Sequence, residues 1–406
     1  MEVPLTAPAR PHEALLLELG YALGLFGTTD HRVERVLSAV ARRIGLEASF
    51  FAVPTGLMAW FGPVGDQRAG MKRLESTTVD LGKLARLDAV TRQLVVDGDV
   101  DAALFEVRET IAAPSAWPVW VEVAGFAVAS TTGALFFGGG APELAVAGSL
   151  GGVIGLLAVA LGRHGQGQLE AVLCATVAAF VATAAPALLG PLRSDVVLVG
   201  GLLYLLPGLT LTMAVSELAN RNLVAGTARL MAALLTLVQL AFGVALGREL
   251  GFLVPGTGDG PVPVEVWSTG LVAAAVAVAG LSFGVLFRAR VKDLPVIMAG
   301  CGVAFAAARW GTLAFNPHLG AFLGALAVGL VSNLYARVAD RPALVPLVPG
   351  VLMLVPGSLG LRSVVGLLDD DTLRAVNTGF ETGIVAIALS TGLLVASGLL
   401  PARRDL

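Results

Sequence analysis

Hydrophobic and polar positions divide the chain into two regimes. Up to about residue 115 the apolar residues recur at helical or strand spacing among frequent charges. Beyond it they run on in stretches of about 20, the number a helix needs to cross a hydrocarbon core of about 30 Å. Cutting this region at its charges, prolines and glycine turns yields ten segments. The first five cover residues 117–138, 143–162, 169–190, 195–216 and 224–247; the second five cover 266–287, 294–310, 318–337, 343–361 and 377–399. The expected fold class is a mainly α membrane protein of ten transmembrane helices, arranged as two five-helix units behind a small α+β soluble domain. The expected boundaries are 1–115 for the soluble domain, 116–248 for the first unit, 249–265 for a connecting loop rich in Pro, Gly and acidic residues, and 266–406 for the second unit.

Within the first regime, Val33, Val36, Leu37, Val40 and Ile44 fall at helical spacing and predict a packed surface helix over 29–46. Residues 48–61, rich in Phe, Val and Trp and broken by Pro54 and Gly56, predict one or two short strands with a turn, with another strand over 71–77. Helical patterns return over 81–96 and 100–111, divided by Asp97-Gly98-Asp99. The apolar run at Leu15 to Leu17 is flanked by Glu13 and Glu18 and reads as an amphipathic helix, not a signal peptide. Asp30, His31 and Ser38 share one expected helix, but no oxyanion-type loop accompanies them. They read as a helix cap and a solvated face.

The two membrane units show signs of internal symmetry. The fourth segment of the first carries Leu206-Pro207-Gly208-Leu209, and the fourth of the second carries Val355-Pro356-Gly357-Ser358. An odd helix count per repeat forces the copies into opposite orientations, so the expected arrangement is an inverted repeat. Basic residues are denser in the loops that share a side with the N-terminus, which places the N-terminal domain in the cytoplasm.

Pro and Gly inside a membrane helix free backbone groups that are tolerated only where they face protein or a water-filled cavity. Pro207-Gly208 and Pro356-Gly357, with Thr210, Thr212 and Ser358 beside them, are therefore the candidate solute site; Pro349-Gly350 adds an interruption to the ninth segment. A kink bridged by neighbouring helices is the competing reading. A charge at mid-span costs about 2.5–3.5 kcal/mol on insertion scales and is usually paired or functional. Glu217 and Arg229, on consecutive segments, read either as a bracing or gating ion pair or as solute and proton handlers. Glu381, on an otherwise apolar helix, is the candidate proton carrier. Glu122 and Arg309 lie near segment ends, where snorkelling accounts for them.

Composition narrows the function classes. With 56% hydrophobic and 14% charged residues and a mean hydropathy of +0.81, lipid is the solvent of most of the chain. A net charge of −3 provides no basic stripe for nucleic acid. Cys174 and Cys301 lie in apolar runs, and there is no metal-ligand spacing, phosphate loop or nucleotide fingerprint, so neither a metal, a cofactor nor ATP is expected and an ion gradient remains as energy source. A membrane-embedded enzyme is disfavoured because none of His12, His31, His164 and His318 lies at mid-span; a channel or a sensor with a signalling domain stays open.

Several blocks then resemble one family. Residues 29–46, Val53-Pro54-Thr55-Gly56 and Val79-Asp80-Leu81-Gly82-Lys83-Leu84 are similar to the cytosolic domain of the threonine/serine exporters, with Asp80 where the family usually has Asn. Phe136-Phe137-Gly138-Gly139, Leu206-Pro207-Gly208 and the stretch from Glu217 to Arg229 resemble its first membrane unit, and the stretch from Val348-Pro349-Gly350 to Ser358 its second. The resemblance implies export of threonine, serine or a similar small metabolite across the inner membrane, driven by protons, with dicarboxylates as the alternative substrates. Membrane lipids, protons and the solute are the expected partners, and a homo-oligomer is open. The resemblance assigns no binding residues.

Overall fold

The computed structural model describes residues 11–74, 77–256, 262–354, 357–368 and 372–401. Pro356, one of the candidate site residues, lies outside them. The N-terminal domain runs α1 (Pro11–Leu25), α2 (Asp30–Arg43), β1 (Ala48–Val53), β2 (Gly56–Phe61), β3 (Arg68–Arg73), α3 (Leu81–Asp97) and α4 (Val100–Ala112). The strands form an antiparallel meander in the order β1-β2-β3, with Val53 opposite Gly56 across the Pro54-Thr55 turn. The last strand therefore ends at Arg73, short of the expected Thr77. The expected α2 buries Val33, Val36, Leu37 and Val40. α1, expected as an amphipathic helix, is enclosed instead: Leu15, Leu16, Leu19 and Leu23 are fully buried, and it packs against α2, α4 and the sheet as the central element of the domain. The Asp97-Gly98-Asp99 turn works as two caps. Gly98, at φ +71°, ends α3, and the Asp99 carboxylate accepts from the Ala102 N–H to start α4.

The membrane region runs α5 (Val119–Phe136), α6 (Ala141–Arg163), α7 (Glu170–Leu189), α8 (Ser194–Gly201), α9 (Gly208–Ala219), α10 (Leu223–Phe252), α11 (Thr269–Leu286), α12 (Leu294–Ala314), α13 (Pro317–Ala339), α14 (Leu344–Leu352), α15 (Gly357–Leu368) and α16 (Thr372–Leu399). Among the described residues, nine helical runs are long and apolar enough to span, the α14–α15 stretch counting as one; the pair α8 and α9, bent by 55°, makes ten. The fourth span of each set of five is the broken one. Across the sets, α5 packs on α11, α9 on α16, and α15 on α10. Contrary to expectation, Pro349-Gly350 does not interrupt α14, which continues to Leu352.

Close packing follows the small residues. Gly243, Gly247 and Gly251 on α10 face α7 at one-turn intervals; a Cβ added at Gly243 would lie 2.5 Å from the Val172 carbonyl oxygen. Replacing Gly243 by Leu should therefore force the two helices apart and destabilise the protein by about 1–3 kcal/mol, as overpacking does elsewhere. Thermal unfolding of the purified protein in detergent checks this, and an unchanged midpoint would contradict the packing.

Candidate functional site

Proline has no N–H and its ring collides with the preceding turn, and it also drives the residue before it out of helical geometry. Leu206 is accordingly extended (φ −65°, ψ 125°), after a 3-10 turn at Leu203–Leu205, and α9 restarts at Gly208, whose N–H donates to the Leu206 carbonyl at 2.8 Å. In the second interruption, α14 ends at Leu352 with a turn at Met353-Leu354, and α15 begins at Gly357. The two interruptions touch. A Cβ added at Gly357 would lie 2.8 Å from Leu206 Cβ and 3.4 Å from the Gly208 nitrogen. Only a residue without a side chain permits this approach.

A cavity lies on each side of the crossing. The proximal one, next to the N-terminal domain, measures about 310 Å³ and is walled by α9 and α14, with α13, α16 and α2 contributing. Thr212, Ser216, Asn220 and Asn333 give it polar groups from the membrane helices, and Leu209, Val348 and Val351 close it toward the crossing. The distal cavity, about 390 Å³, is walled by α8 and α15, by the distal end of α10 and by the start of α16. It gathers Arg248, Arg362 and Arg374 with Asp195 and Glu381. Thus α8 and α15 face the distal cavity, and their continuations α9 and α14 face the proximal one. Between them Gly357 and Ser358 border a third pocket of about 220 Å³, walled by Phe136, Phe137, Phe283 and Phe305.

The candidate residues therefore separate. Thr212 lines the proximal cavity, where its hydroxyl bonds back to the Gly208 carbonyl at 3.1 Å and its own carbonyl accepts from Ser390 at 3.2 Å. Thr210 is half-buried on α9. Ser358 borders the aromatic pocket instead of a polar one, and Glu381 is exposed to the distal cavity among arginines, not enclosed by apolar helix.

Glu217 and Arg229 do not pair with each other among the described contacts; both reach the N-terminal domain. The fully buried Glu217 carboxylate accepts from the Asp30 N–H at 2.8 Å and from His31 Nδ1 at 2.9 Å, so a membrane helix supplies the anion that caps the N-terminus of α2. Arg229 Nη2 donates to Asp30 Oδ2 at 2.9 Å. Asp30 and His31 thus belong to a buried junction, and the reading of them as a cap and a solvated face is overturned by contacts spanning nearly half the chain. Burial pushes the Asp30 carboxyl above its ordinary value, and Arg229 is the main influence pulling it back.

A second junction ties the domain to the other unit. The first amides of α3, on Leu81 and Gly82, donate to the Phe287 and Arg288 carbonyls that end α11, at 2.9 and 3.2 Å. Asp80 caps the next amide, accepting from the Lys83 N–H at 2.8 Å, and is itself pushed up by burial. Gly82 is required there, because a Cβ would lie 2.6 Å from the Arg288 oxygen. Arg288 also donates to Glu122 at 3.1 Å, so the buried Glu122 is held in an ion pair with a half-buried arginine where snorkelling was expected.

Crossed, interrupted helices between cavities at opposite ends of a multi-pass bundle define a membrane protein of the transporter type. The chain belongs to the threonine/serine exporter family. Residues 14–251 match the family described as a threonine/serine exporter, and residues 272–399 match a second profile, "Threonine/Serine exporter, ThrE". Among curated proteins, Pheromone-regulated membrane protein 10 of Eremothecium gossypii is 25% identical over 94% of this chain and 54% of its own length. The protein of the same name from Kluyveromyces lactis is 24% identical over 94% of this chain and 42% of its own, and that of Saccharomyces cerevisiae 24% over 94% and 53%. The chain therefore spans about half the length of the curated relatives it matches. No solved structure matches it.

Breaking a buried ion pair by removing one partner strands the other charge. Arg229→Gln should destabilise the protein by about 3–5 kcal/mol, and adding Asp30→Asn should restore much of the loss. A double-mutant cycle on thermal unfolding measures this; strictly additive losses would contradict the pairing.

Proposed function

We propose that the protein is a secondary transporter that exports small polar metabolites, threonine and serine first, using the proton motive force. The observation that carries this reading is the pair of cavities at opposite ends of the bundle, separated by the contact between Leu206-Pro207-Gly208 and Gly357. A carrier needs one site reachable from one face at a time, and a seam of two half-helix pairs that touch without side chains is a place where small shifts can open one face and close the other. The pairing of α8 with α15 and of α9 with α14 around the cavities supports two five-helix units in inverted orientation. The family supports the exporter class; the names of the fungal relatives specify no solute.

In this reading the N-terminal domain is cytoplasmic and the membrane is a cell membrane, the inner one in a bacterium, in keeping with the basic loops on the domain's side. The solute enters from the proximal cavity past Thr212 and Ser216 and meets the start of α9 and α15, whose amides can hold a carboxylate. Glu381, lining the distal cavity, is where a proton from outside would be taken up in exchange. The distal cavity sets three guanidinium groups against two carboxylates, which favours solutes carrying a carboxylate and keeps a dicarboxylate exporter as the second reading. A pore or sensor is distinguished by counterflow, which a carrier shows and an open channel does not.

Efflux of labelled threonine, serine and succinate from proteoliposomes, with and without an imposed proton gradient, tests the reading. Gradient-dependent efflux is expected for threonine or serine, lost in Glu381→Gln and in Gly357→Leu, which wedges the seam. Succinate efflux alone would select the second reading, unaltered efflux in Glu381→Gln would remove that residue from coupling, and no efflux of any solute would sink the transporter reading.

A further inference from the structure

The proximal cavity is not made by membrane helices alone. Thr29, His31, Arg32 and Arg35 of the N-terminal domain form one wall, opposite Thr212, Ser216, Asn220 and Asn333. The wall is fixed in place at two points. Glu217 of α9 caps α2 directly beside the cavity, and the Phe287 and Arg288 carbonyls of α11 hold α3, so the domain is pinned to both membrane units.

The chemistry of this wall is specific. Arg32 and Arg35 are one turn apart on α2 and both border the cavity, and guanidinium groups are suited to a carboxylate, which they bind with two parallel N–H donors. Both arginines also interact with other groups of the chain. His31 is held in place by the Glu217 carboxylate at Nδ1, which makes that nitrogen the donor. Hydroxyl and amide groups on the facing helices complete a set that matches a small solute with a carboxylate, an ammonium and a hydroxyl. At about 310 Å³ the cavity is at the lower end of small-molecule sites.

We infer that the N-terminal domain is part of the solute-binding site: Arg32 and Arg35 of α2 receive the carboxylate of the solute in the proximal cavity. The inference deepens the transporter reading by assigning recognition to a domain outside the membrane. It differs from a regulatory role in that the domain contacts the solute in every cycle.

Equilibrium binding of labelled threonine to the purified full-length protein in detergent tests it without requiring transport. Arg32→Gln and Arg35→Gln should each weaken threonine binding by about 10- to 100-fold, the scale of one lost charge-assisted hydrogen bond. The Lys substitutions should recover part of it, and Arg42→Gln, exposed on α2, should bind as the unaltered protein does. Threoninol, which lacks the carboxylate, should compete weakly and equally against the unaltered and Arg-substituted proteins. Thermal unfolding separates loss of contact from loss of fold, since the Lys variants keep both charge and wall. Threonine affinity unchanged in the Arg32→Gln, Arg35→Gln double variant would overturn the inference, as would absence of binding by any carboxylate-bearing solute to the unaltered protein. If binding behaves as expected but proteoliposomes move nothing, the inference stands and the transporter reading fails.

Discussion

A helix interrupted inside a membrane exposes carbonyl and amide groups that hydrocarbon cannot satisfy, so the interruption must be buried in protein or face water. Among the described residues two such interruptions lie against each other. α8 ends at Gly201, a 3-10 turn leads to Pro207, α9 starts at Gly208, and an added Cβ at Gly357 would meet Leu206 and the Gly208 backbone. The remaining membrane architecture follows from that contact. The two halves of each of these spans line different cavities, α9 and α14 the proximal one and α8 and α15 the distal one, while α16 borders both at its opposite ends.

The N-terminal domain is attached by the same physics. The first amides of a helix lack intrahelical partners and carry positive potential. Both α2 and α3 meet that requirement with groups from the membrane region: the Glu217 carboxylate for α2 and the Phe287 and Arg288 carbonyls for α3. Each contact desolvates backbone groups that would otherwise need water, so neither domain surface is complete without the other. The Asp30–Arg229 pair adds charge complementarity, and the His31–Glu217 hydrogen bond a further contact, at one of the two points. The domain is thus held to α9 and α10 at one point and to the end of α11 at the other.

Much of this was legible in the sequence, and the failures share a cause. Prolines and glycines act locally, so the break at Pro207 and the restart at Gly357 could be read directly, as could the turn at Gly98. Hydrophobic runs mark spans for the same reason. Partner choice is not local: Glu217 and Arg229 lie twelve residues apart on consecutive helices and invite each other as partners, whereas their true partners are neighbours at Asp30 and His31, nearly two hundred residues earlier. The helix α1 misled because an apolar run flanked by two glutamates reads as amphipathic, although Glu13 pairs with Arg68 of β3 and the helix is enclosed by its own domain. Glu381 misled because burial was inferred from its apolar helix, while the arginines around it come from α10, α15 and its own first turn. The fungal relatives share this region over nearly all of the chain at about a quarter identity, so the arrangement at the seam is testable beyond this protein.

The central claim is that the two cavities are reached from opposite faces in alternation across the seam. With Cys174 and Cys301 replaced by Ala, Ser216→Cys probes the proximal cavity and Thr378→Cys the distal one, each by its rate of reaction with a membrane-impermeant thiol reagent. The account predicts that threonine, or reversal of the proton gradient, changes the two rates in opposite directions. Rates that stay unchanged, or that rise and fall together, would contradict it.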